Sequence, residues 1–363
     1  MTGALDGVRV IDFGQYIAGP LAAMLLADHG ADVVRIDPPG GPRFDTPANR
    51  VWNRGKRSIV LDLKDAADRA TARRLVAGAD AVVENFRPGV MERLGLGAAE
   101  LCAAHPRLIF CSLPGFASDD PRAGLPAWEG VVGAATRSYP PRPDTGAPVY
   151  TAIPISSCYA AFQAAVSIAV ALNVRERDGL GQRVEVPLFD ATFGAIGSRG
   201  LRVHDRPTAT PDGPVATWTR QFQCKDGRWI QFHAGNTRFS AFAEAADVAG
   251  WAGDAGINDR AAELFLSRTA LEWENLAERV GTECAVVRTS AEWLANEHAR
   301  ACGIVTVTHD PTLGRLTGPG INVRLSATPA AVRGPAPAPD ADRVAILAGL
   351  PASPSAAPPA GRT

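Results

Sequence analysis

The 363-residue sequence lacks most of the short signatures that announce a chemistry. Its six cysteines (Cys102, Cys111, Cys158, Cys224, Cys284, Cys302) contain no CxxC pair and have no histidine-rich neighbourhood. That scatter argues against a zinc site or a disulfide framework and predicts reduced thiols in a cytoplasmic protein. None of the six histidines stands at metal-ligand or catalytic spacing from a partner, so no metal is expected. GxSxG, HExxH and Walker patterns are all missing, which removes the serine hydrolase, zincin and P-loop readings. A formal net charge of −1 leaves no broad field for nucleic acid or an anionic membrane, so any ligand-binding cation must act locally. The opening MTGALDGVRVIDFG has neither the basic start nor the apolar core of a signal peptide. No run reaches 18 residues of purely apolar character. The nearest, Ser156–Val174, includes Ser, Cys, Tyr, Gln and Asn and reads as a buried amphipathic helix.

What is present is an ordinary globular composition, 46% hydrophobic and 21% charged, in a chain long enough for two or three domains. The N-terminal half alternates strand and helix patterns. Strands are expected at Val8–Phe13, Ala31–Ile36, Ser58–Asp62, Ala81–Glu84 and Leu108–Ser112, with helices at Leu21–Ala27 and Asp65–Ala77 between them. This rhythm predicts an α/β fold with a mainly parallel, doubly wound sheet. Pro121–Tyr150, rich in Pro, Gly and Arg, reads as a long irregular loop. A long helix over Ser156–Arg177, a strand at Arg183–Val186 and a helix over Leu188–Leu201 follow. The Pro-rich stretch His204–Pro214 is a linker by composition. Beyond it Lys225-Asp226-Gly227 closes a hairpin, helices run to about Ala301, and a strand–turn–strand spans Val305–Leu316. The expected domains are a large one at 1–203, a small α+β one at 204–304, a return segment at 305–350 and a disordered tail at 351–363.

Three places could bear chemistry. The Gly14–Gly19 turn joins a strand to a helix, where amides can meet a phosphate, although it is not GxGxxG and serves equally as a tight turn. Lys56-Arg57-Ser58, and Glu84–Gly89 followed by Arg93, place cations at the ends of strand–helix units; they suit a phosphate or simply face water. Trp128-Glu129 sets an acid beside a large aromatic ring, again with an exposed surface glutamate as the alternative.

Taken together, Val10–Phe13 with Ala18–Pro20, Gly30–Asp37, Lys56–Leu63, Glu84–Gly89, Glu92–Gly95, Arg175–Gln182, Asp226-Gly227, His309–Gly314 and Gly318-Pro319 resemble the family III CoA-transferases. These are the CaiB/BaiF proteins, with formyl-CoA transferase and α-methylacyl-CoA racemase among them. The resemblance implies a Rossmann-like large domain, a smaller second domain and an interlocked dimer. It implies acyl-CoA and a carboxylic acid as substrates, and matches Lys56, Asn85 and Arg93, with Arg57 beside them, to positions that hold the adenosine-diphosphate end of CoA. Tyr16, Ile17 and Trp128 are expected at the acyl pocket; Ile17 stands where relatives often have a glutamine, and Pro38 where they often have an arginine.

Family transferases attack acyl-CoA with an aspartate, forming a mixed anhydride and then an aspartyl thioester. Counting back from Arg175 places Ser157 at that position, and no Asp or Glu occurs between Thr145 and Glu176. A serine ester would be too stable to return the acyl group to CoA, and no histidine lies near to act as base. Racemase relatives pair the aspartate with a loop histidine, where this chain has Trp128. Three expectations follow: an acyl-CoA-binding subunit beside an Asp-bearing paralogue, an active transferase using Glu129 (or, more weakly, Cys158), or another acyl-CoA chemistry such as isomerisation, racemisation or hydration. Trp128, Trp218 and Phe222 hint at a bulky apolar or aromatic acid.

Overall fold

The computed structural model describes residues 3–142, 144–197, 204, 220–233, 239–249 and 257–350. The chain divides into two compact units, Met1–Gly200 with His298–Thr363, and Leu201–Glu297. Trp218, most of the expected linker and the expected tail lie outside the described residues.

In the first unit, β1 (Arg9–Asp12), β2 (Asp32–Asp37), β3 (Arg57–Val60), β4 (Ala81–Glu84), β5 (Ile109–Ser112) and β6 (Arg183–Glu185) form one sheet in the order β3-β2-β1-β4-β5-β6. Every pairing is parallel, and α/β crossovers cover both faces. Because side chains alternate along a strand, Val10, Val33, Val83 and Ile109 point to one core. Ile11, Val34, Val82 and Phe110 point to the other. The first core is filled by α1 (Ala18–Asp28), α7 (Ile155–Asp178) and α8 (Leu188–Ala195). The second takes side chains from α3 (Ala66–Ala77) and α5 (Ala98–Ala104). Asp65 caps α3 by accepting from the amides of Ala67 and Asp68 at 2.8 and 3.0 Å. Gly179, at φ +77°, ends α7 in the left-handed conformation that a side chain would resist. Short helices α2 (Pro47–Val51), α4 (Val90–Arg93) and α6 (Glu129–Ala135) sit in the connections.

Three segments differ from expectation. Helix α8 ends at Ala195, with its C-cap at Ile196, short of the expected Leu201. The stretch 121–150 is not wholly irregular, since α6 lies inside it. Its glycines and its uncapped start at Trp128 hide it from propensity, and the burial of Val132 and Glu129 holds it in place. The second unit carries an antiparallel sheet of three strands, β7 (Arg220–Gln223), β8 (Trp229–His233) and β9 (Glu283–Val286). The sequence predicts only helices after the hairpin, and β9 departs from that because its partner strand lies about fifty residues upstream. Helices α9 (Phe239–Ala245), α10 (Ile257–Phe265), α11 (Ala270–Val280) and α12 (Ser290–Ala295) complete that unit. Phe222, Phe232, Phe242, Phe265 and Trp273 form its core. Phe222 is 2% exposed and stacks on Phe265 at 4.4 Å, so it is a core residue and hints at no acyl group.

The chain then returns to the first unit through α13 (Glu297–Ala301), the hairpin β10 (Val305–Asp310)–β11 (Gly314–Pro319) and α14 (Arg343–Ala348). The return segment covers the open edge of β3: Asp340 accepts from the Val60 amide at 2.8 Å and Asp342 from the Ser58 amide at 2.9 Å. These carboxylates stand in for a missing neighbour strand and satisfy amides that would otherwise invite foreign pairing.

Candidate active site

In this strand order the chain leaves β1 toward β2 on one side and β4 lies on the other. A crevice therefore opens beyond the C-terminal ends of β1 and β4. Its walls are the turns Gly14–Ile17 and Asn85–Gly89. Asn85 spans them: Oδ1 accepts from the Gln15 amide at 2.8 Å and Nδ2 donates to the Gln15 carbonyl at 2.7 Å. The Gly14 amide donates to Asp12 Oδ1 at 2.7 Å. Tyr16 holds the left-handed φ of +67°, a strained conformation for a tyrosine. It is kept there by Asn49 Nδ2 donating to its carbonyl at 2.6 Å and by ring contact with Phe44 at 4.9 Å. A Cβ on Gly19 would lie 2.9 Å from Gly14 Cα and 3.3 Å from Asn85 Oδ1, so the close approach of these turns requires glycine. The Gly14 and Gln15 amides are thus already bonded within the protein. Asp37, at the β2 end where dinucleotide folds hold a ribose, accepts from Arg35 Nε at 2.7 Å and Ser58 Oγ at 2.9 Å.

The expected phosphate ligands fall into different places. Lys56 is enclosed: Nζ donates to Asp12 Oδ2, the Pro20 carbonyl and Asn53 Oδ1 at 2.7, 2.8 and 2.9 Å, which uses all three N–H groups. The geometry leaves it nothing to offer a phosphate. Arg57 pairs with Asp32 on β2 at 2.9 and 2.5 Å. Asn85 shapes the crevice with both ends of its amide. Arg93 is exposed, its Nη1 above Gly89, with no partner among the described residues. Arg87 and Lys64, just past the ends of β4 and β3, are likewise exposed and unpaired among the described residues. Lys64 is not among the expected residues, and the signal that could have found it is its place in the short connection between β3 and α3, past the C-terminal end of a parallel strand.

Glu84 ends β4 beside this crevice, in a second cleft lined by Arg87, Ser112, Ser118, Arg183 and Glu185. It accepts from the Phe86 amide at 2.8 Å. Burial pushes its carboxyl up to about 7, against the opposing hydrogen bonds from Ser112 and Phe86. A raised folded-state pKa means that, between about 4.5 and 7, the folded chain holds a proton that the unfolded chain has lost. Stability should therefore fall as pH rises through 7, by on the order of 1–3 kcal/mol from this group. Urea unfolding at pH 5.5 and 8 would show the difference shrinking in Glu84→Gln; an unchanged difference would assign it to other groups.

The second focus is the start of α7. Pro154 stands at its N-cap and offers no side-chain bond. Glu129, the first residue of α6, supplies the cap instead: Oε1 accepts from the Ser156 amide at 2.8 Å and Oε2 from the Ser157 amide at 2.9 Å. Glu129, Ser156 and Ser157 are all buried, and the Ser156 hydroxyl has no partner. Next along, burial and the Glu129 charge push the Cys158 thiol up to about 11, which keeps it neutral and poorly nucleophilic. Trp128, 52% exposed, lies over Gly130, where an added Cβ would come within 3.0 Å of the ring. Ile17 is buried in the same core as Ala160 and Ala161 of α7, and so packs rather than presents itself. The structure thus brings Glu129 to Ser157, leaves Trp128 next to Glu129 in the chain with its ring over Gly130, and joins Tyr16 and Asn85 through Gln15.

The other face of α7 is unusual. Tyr159, Phe162, Val166 and Val170 follow one stripe and are 41%, 41%, 64% and 56% exposed. No charged residue occurs from Ile155 to Val174. By length and composition this helix could cross a membrane, although its inner face is packed into the first core. The expected buried amphipathic helix is buried on one side only, and its exposed side is apolar as well.

Comparison with known proteins places this geometry. Residues 5–343 match CoA-transferase family III. The chain is 32% identical over 385 residues to the CoA-transferase/lyase DddD of Marinomonas sp., covering 87% of this chain and 45% of that protein. It therefore spans less than half of that relative's length. It is 32% identical over 368 residues to the succinyl-CoA–D-citramalate CoA-transferase of Chloroflexus aurantiacus, covering 92% of this chain and 90% of the relative. The succinyl-CoA–L-malate CoA-transferase alpha subunit of the same organism is 29% identical over 367 residues, covering 90% and 84%. Among solved structures, Rv3272 from Mycobacterium tuberculosis superposes with a TM-score of 0.84 at 25% identity, over 95% of this chain and 99% of that one.

Proposed function

The chain belongs to CoA-transferase family III, and on that premise we propose that it is an acyl-CoA-binding subunit of a CoA-transferase. In this reading it does not catalyse transfer by itself and works beside a paralogous chain that carries the aspartate. The observation behind it is the start of α7. Ser157 offers a hydroxyl there, and the carboxylate against it, Glu129, engages both oxygens with the Ser156 and Ser157 amides. A carboxylate needed for anhydride chemistry is absent from the position itself. The relative that is an alpha subunit supports unequal pairing. The two succinyl-CoA relatives make succinyl-CoA with a dicarboxylic acid the first substrates to test.

CoA is read as lying along the C-terminal edge of the sheet, with Arg87, Arg93 and Lys64 as phosphate partners and Asn85 shaping the floor. The uncharged outer face of α7 is read as covered by a second chain, in an interlocked dimer of like or unlike subunits. The solution mass of the purified chain tests that assembly. Scattered free cysteines support a cytoplasmic setting.

A second reading rests on one distance, the 2.9 Å between Glu129 Oε2 and the Ser157 amide. Glu129 could attack the thioester carbonyl itself, releasing CoA thiolate and leaving a glutamyl–acyl anhydride. The thiolate would then attack the glutamyl carbonyl and expel the first acid. The purified chain, given succinyl-CoA and malate, is expected to bind CoA in calorimetry and to exchange nothing until an Asp-bearing partner is added. Turnover by the chain alone that Glu129→Gln abolishes would replace the first reading with the second. Turnover that survives Glu129→Gln would overturn both.

A further inference from the structure

The run Asn53–Ser58 looks from sequence like a cationic patch, yet its side chains turn inward and sideways into the protein. Lys56 lies directly under the crevice turn and reaches it by three routes. It holds Asp12 Oδ2 at 2.7 Å while Asp12 Oδ1 accepts from the Gly14 amide at 2.7 Å. It holds the Pro20 carbonyl at 2.8 Å, at the start of α1. It also holds Asn53 Oδ1 at 2.9 Å; Asn53 Nδ2 donates to the Asn49 carbonyl at 2.8 Å, and Asn49 Nδ2 to the Tyr16 carbonyl at 2.6 Å. Both Lys56 and Asp12 side chains are 0% exposed. The ammonium therefore links the entrance, apex and exit of the Gly14–Pro20 turn and cannot itself meet a ligand.

We infer that Lys56 is a positioning residue for the acyl-CoA crevice, fixing the Gly14–Tyr16 turn from beneath rather than binding a phosphate. The inference rests on the reading of that crevice as the CoA site. A single buried ammonium satisfied by a carboxylate, an amide and a carbonyl has one geometry. Removing it leaves the Asp12 carboxylate buried and unpaired, and the turn that it anchors loses its register. The charged groups around it are Asp12 on β1, Arg35 and Asp37 on β2, and Asp28 on α1. Burial, partly offset by Asp12, brings its proton affinity down to about 8. The brace should thus loosen as pH rises through that value, because a neutral amine no longer balances Asp12.

The test uses the full chain and three ligands, CoA, 3′-dephospho-CoA and pantetheine, with affinities read by calorimetry from pH 6.5 to 9. Lys56→Met is expected to weaken all three by a common factor, roughly ten- to a hundredfold. In the wild-type chain the affinity for each should fall through pH 8. The double variant Asp12→Asn/Lys56→Met, which removes both charges and keeps the proposal testable if the single variant does not fold, should show no such fall. Loss of CoA binding with pantetheine binding intact would make Lys56 a phosphate ligand and overturn the inference. So would a pH 8 transition that persists in the double variant. The amide resonance of Gly14, followed without ligand, should move with the same midpoint in the wild-type chain and not in the double variant. A static Gly14 resonance refutes the brace even if the chain binds no CoA, whereas a chain that shows the movement but binds no CoA refutes only the reading of the crevice.

Discussion

Ser157→Asp should give the isolated chain transferase activity, raising acyl exchange from succinyl-CoA by on the order of 10³-fold or more, since a missing nucleophile is among the costliest single losses an active site can have. The substitution puts a carboxylate in the first turn of a 24-residue helix, where the macrodipole favours negative charge. The opposing effect is Glu129, already against the Ser156 and Ser157 amides at 2.8 and 2.9 Å. Two carboxylates this close titrate as a pair, and one proton is held to higher pH than a lone acid would hold it. The activity of the variant should therefore rise with pH as the pair loses that proton. Burial of the new charge lowers thermal stability modestly, which Glu129→Gln in the same chain should partly restore. Mass spectrometry after incubation with succinyl-CoA is expected to find CoA in thioester linkage on the peptide containing residue 157, and borohydride should reduce it. A folded, CoA-binding variant with neither adduct nor exchange would show that the aspartate position is not all this chain lacks.

That experiment depends on a position legible in the sequence, whereas its neighbourhood was not. Most strands of the parallel sheet were readable because they are short apolar runs closed by a turn, and β6 because its polar and apolar side chains alternate. Ala81–Glu84 coincides with the expectation, β5 differs by one residue at its start, and β2 is shifted by one residue at both ends. The long helix was readable from its uncharged length and from Gly179 at its end. Glu129 as the cap of α7 was not, because a cap supplied from 27 residues upstream has no local pattern; only the lack of a capping side chain at Pro154 marks the vacancy. Lys56 misled for a related reason. A lysine in a charged run is usually solvated, and nothing in KRS says that Asp12, forty-four residues earlier, will bury it. The return segment was located by its hairpin, yet part of its hold on the sheet comes from single side chains whose partners lie 260 or more residues away in the chain.

The strongest of those holds predicts the largest loss of stability. Arg54 donates from Nε and Nη2 to the two oxygens of Asp28 at 3.3 and 2.7 Å, and from Nη2 to the Gly320 carbonyl at 2.9 Å. Nη1 adds a bond to the Pro319 carbonyl. One planar guanidinium thus joins α1 to the end of β11, with both charged side chains under 8% exposed. Arg54→Ala leaves Asp28 buried without a counter-charge and two carbonyls without donors, an expected cost of about 3–5 kcal/mol. In a chain of this size that is a fall in melting temperature of roughly 5 °C. The exposed pair Arg333–Asp6 gives the contrast, since Arg333→Ala should cost under about 1 kcal/mol. Burial already raises the Asp28 carboxyl against the pull of Arg54, and losing that pull raises it further. A raised carboxyl pKa stabilises the folded chain at low pH and loses that contribution as pH climbs through it, so the deficit should narrow from pH 8 toward pH 5. The double variant Arg54→Met/Asp28→Asn removes both charges and should recover most of the loss. Freed from its clamp, the segment after Pro319 should also be cut faster by trypsin at Arg324 and Arg333. If Arg54→Ala melts like the wild type, or the double variant is no better than the single, the clamp is not what fastens the return segment to the sheet domain.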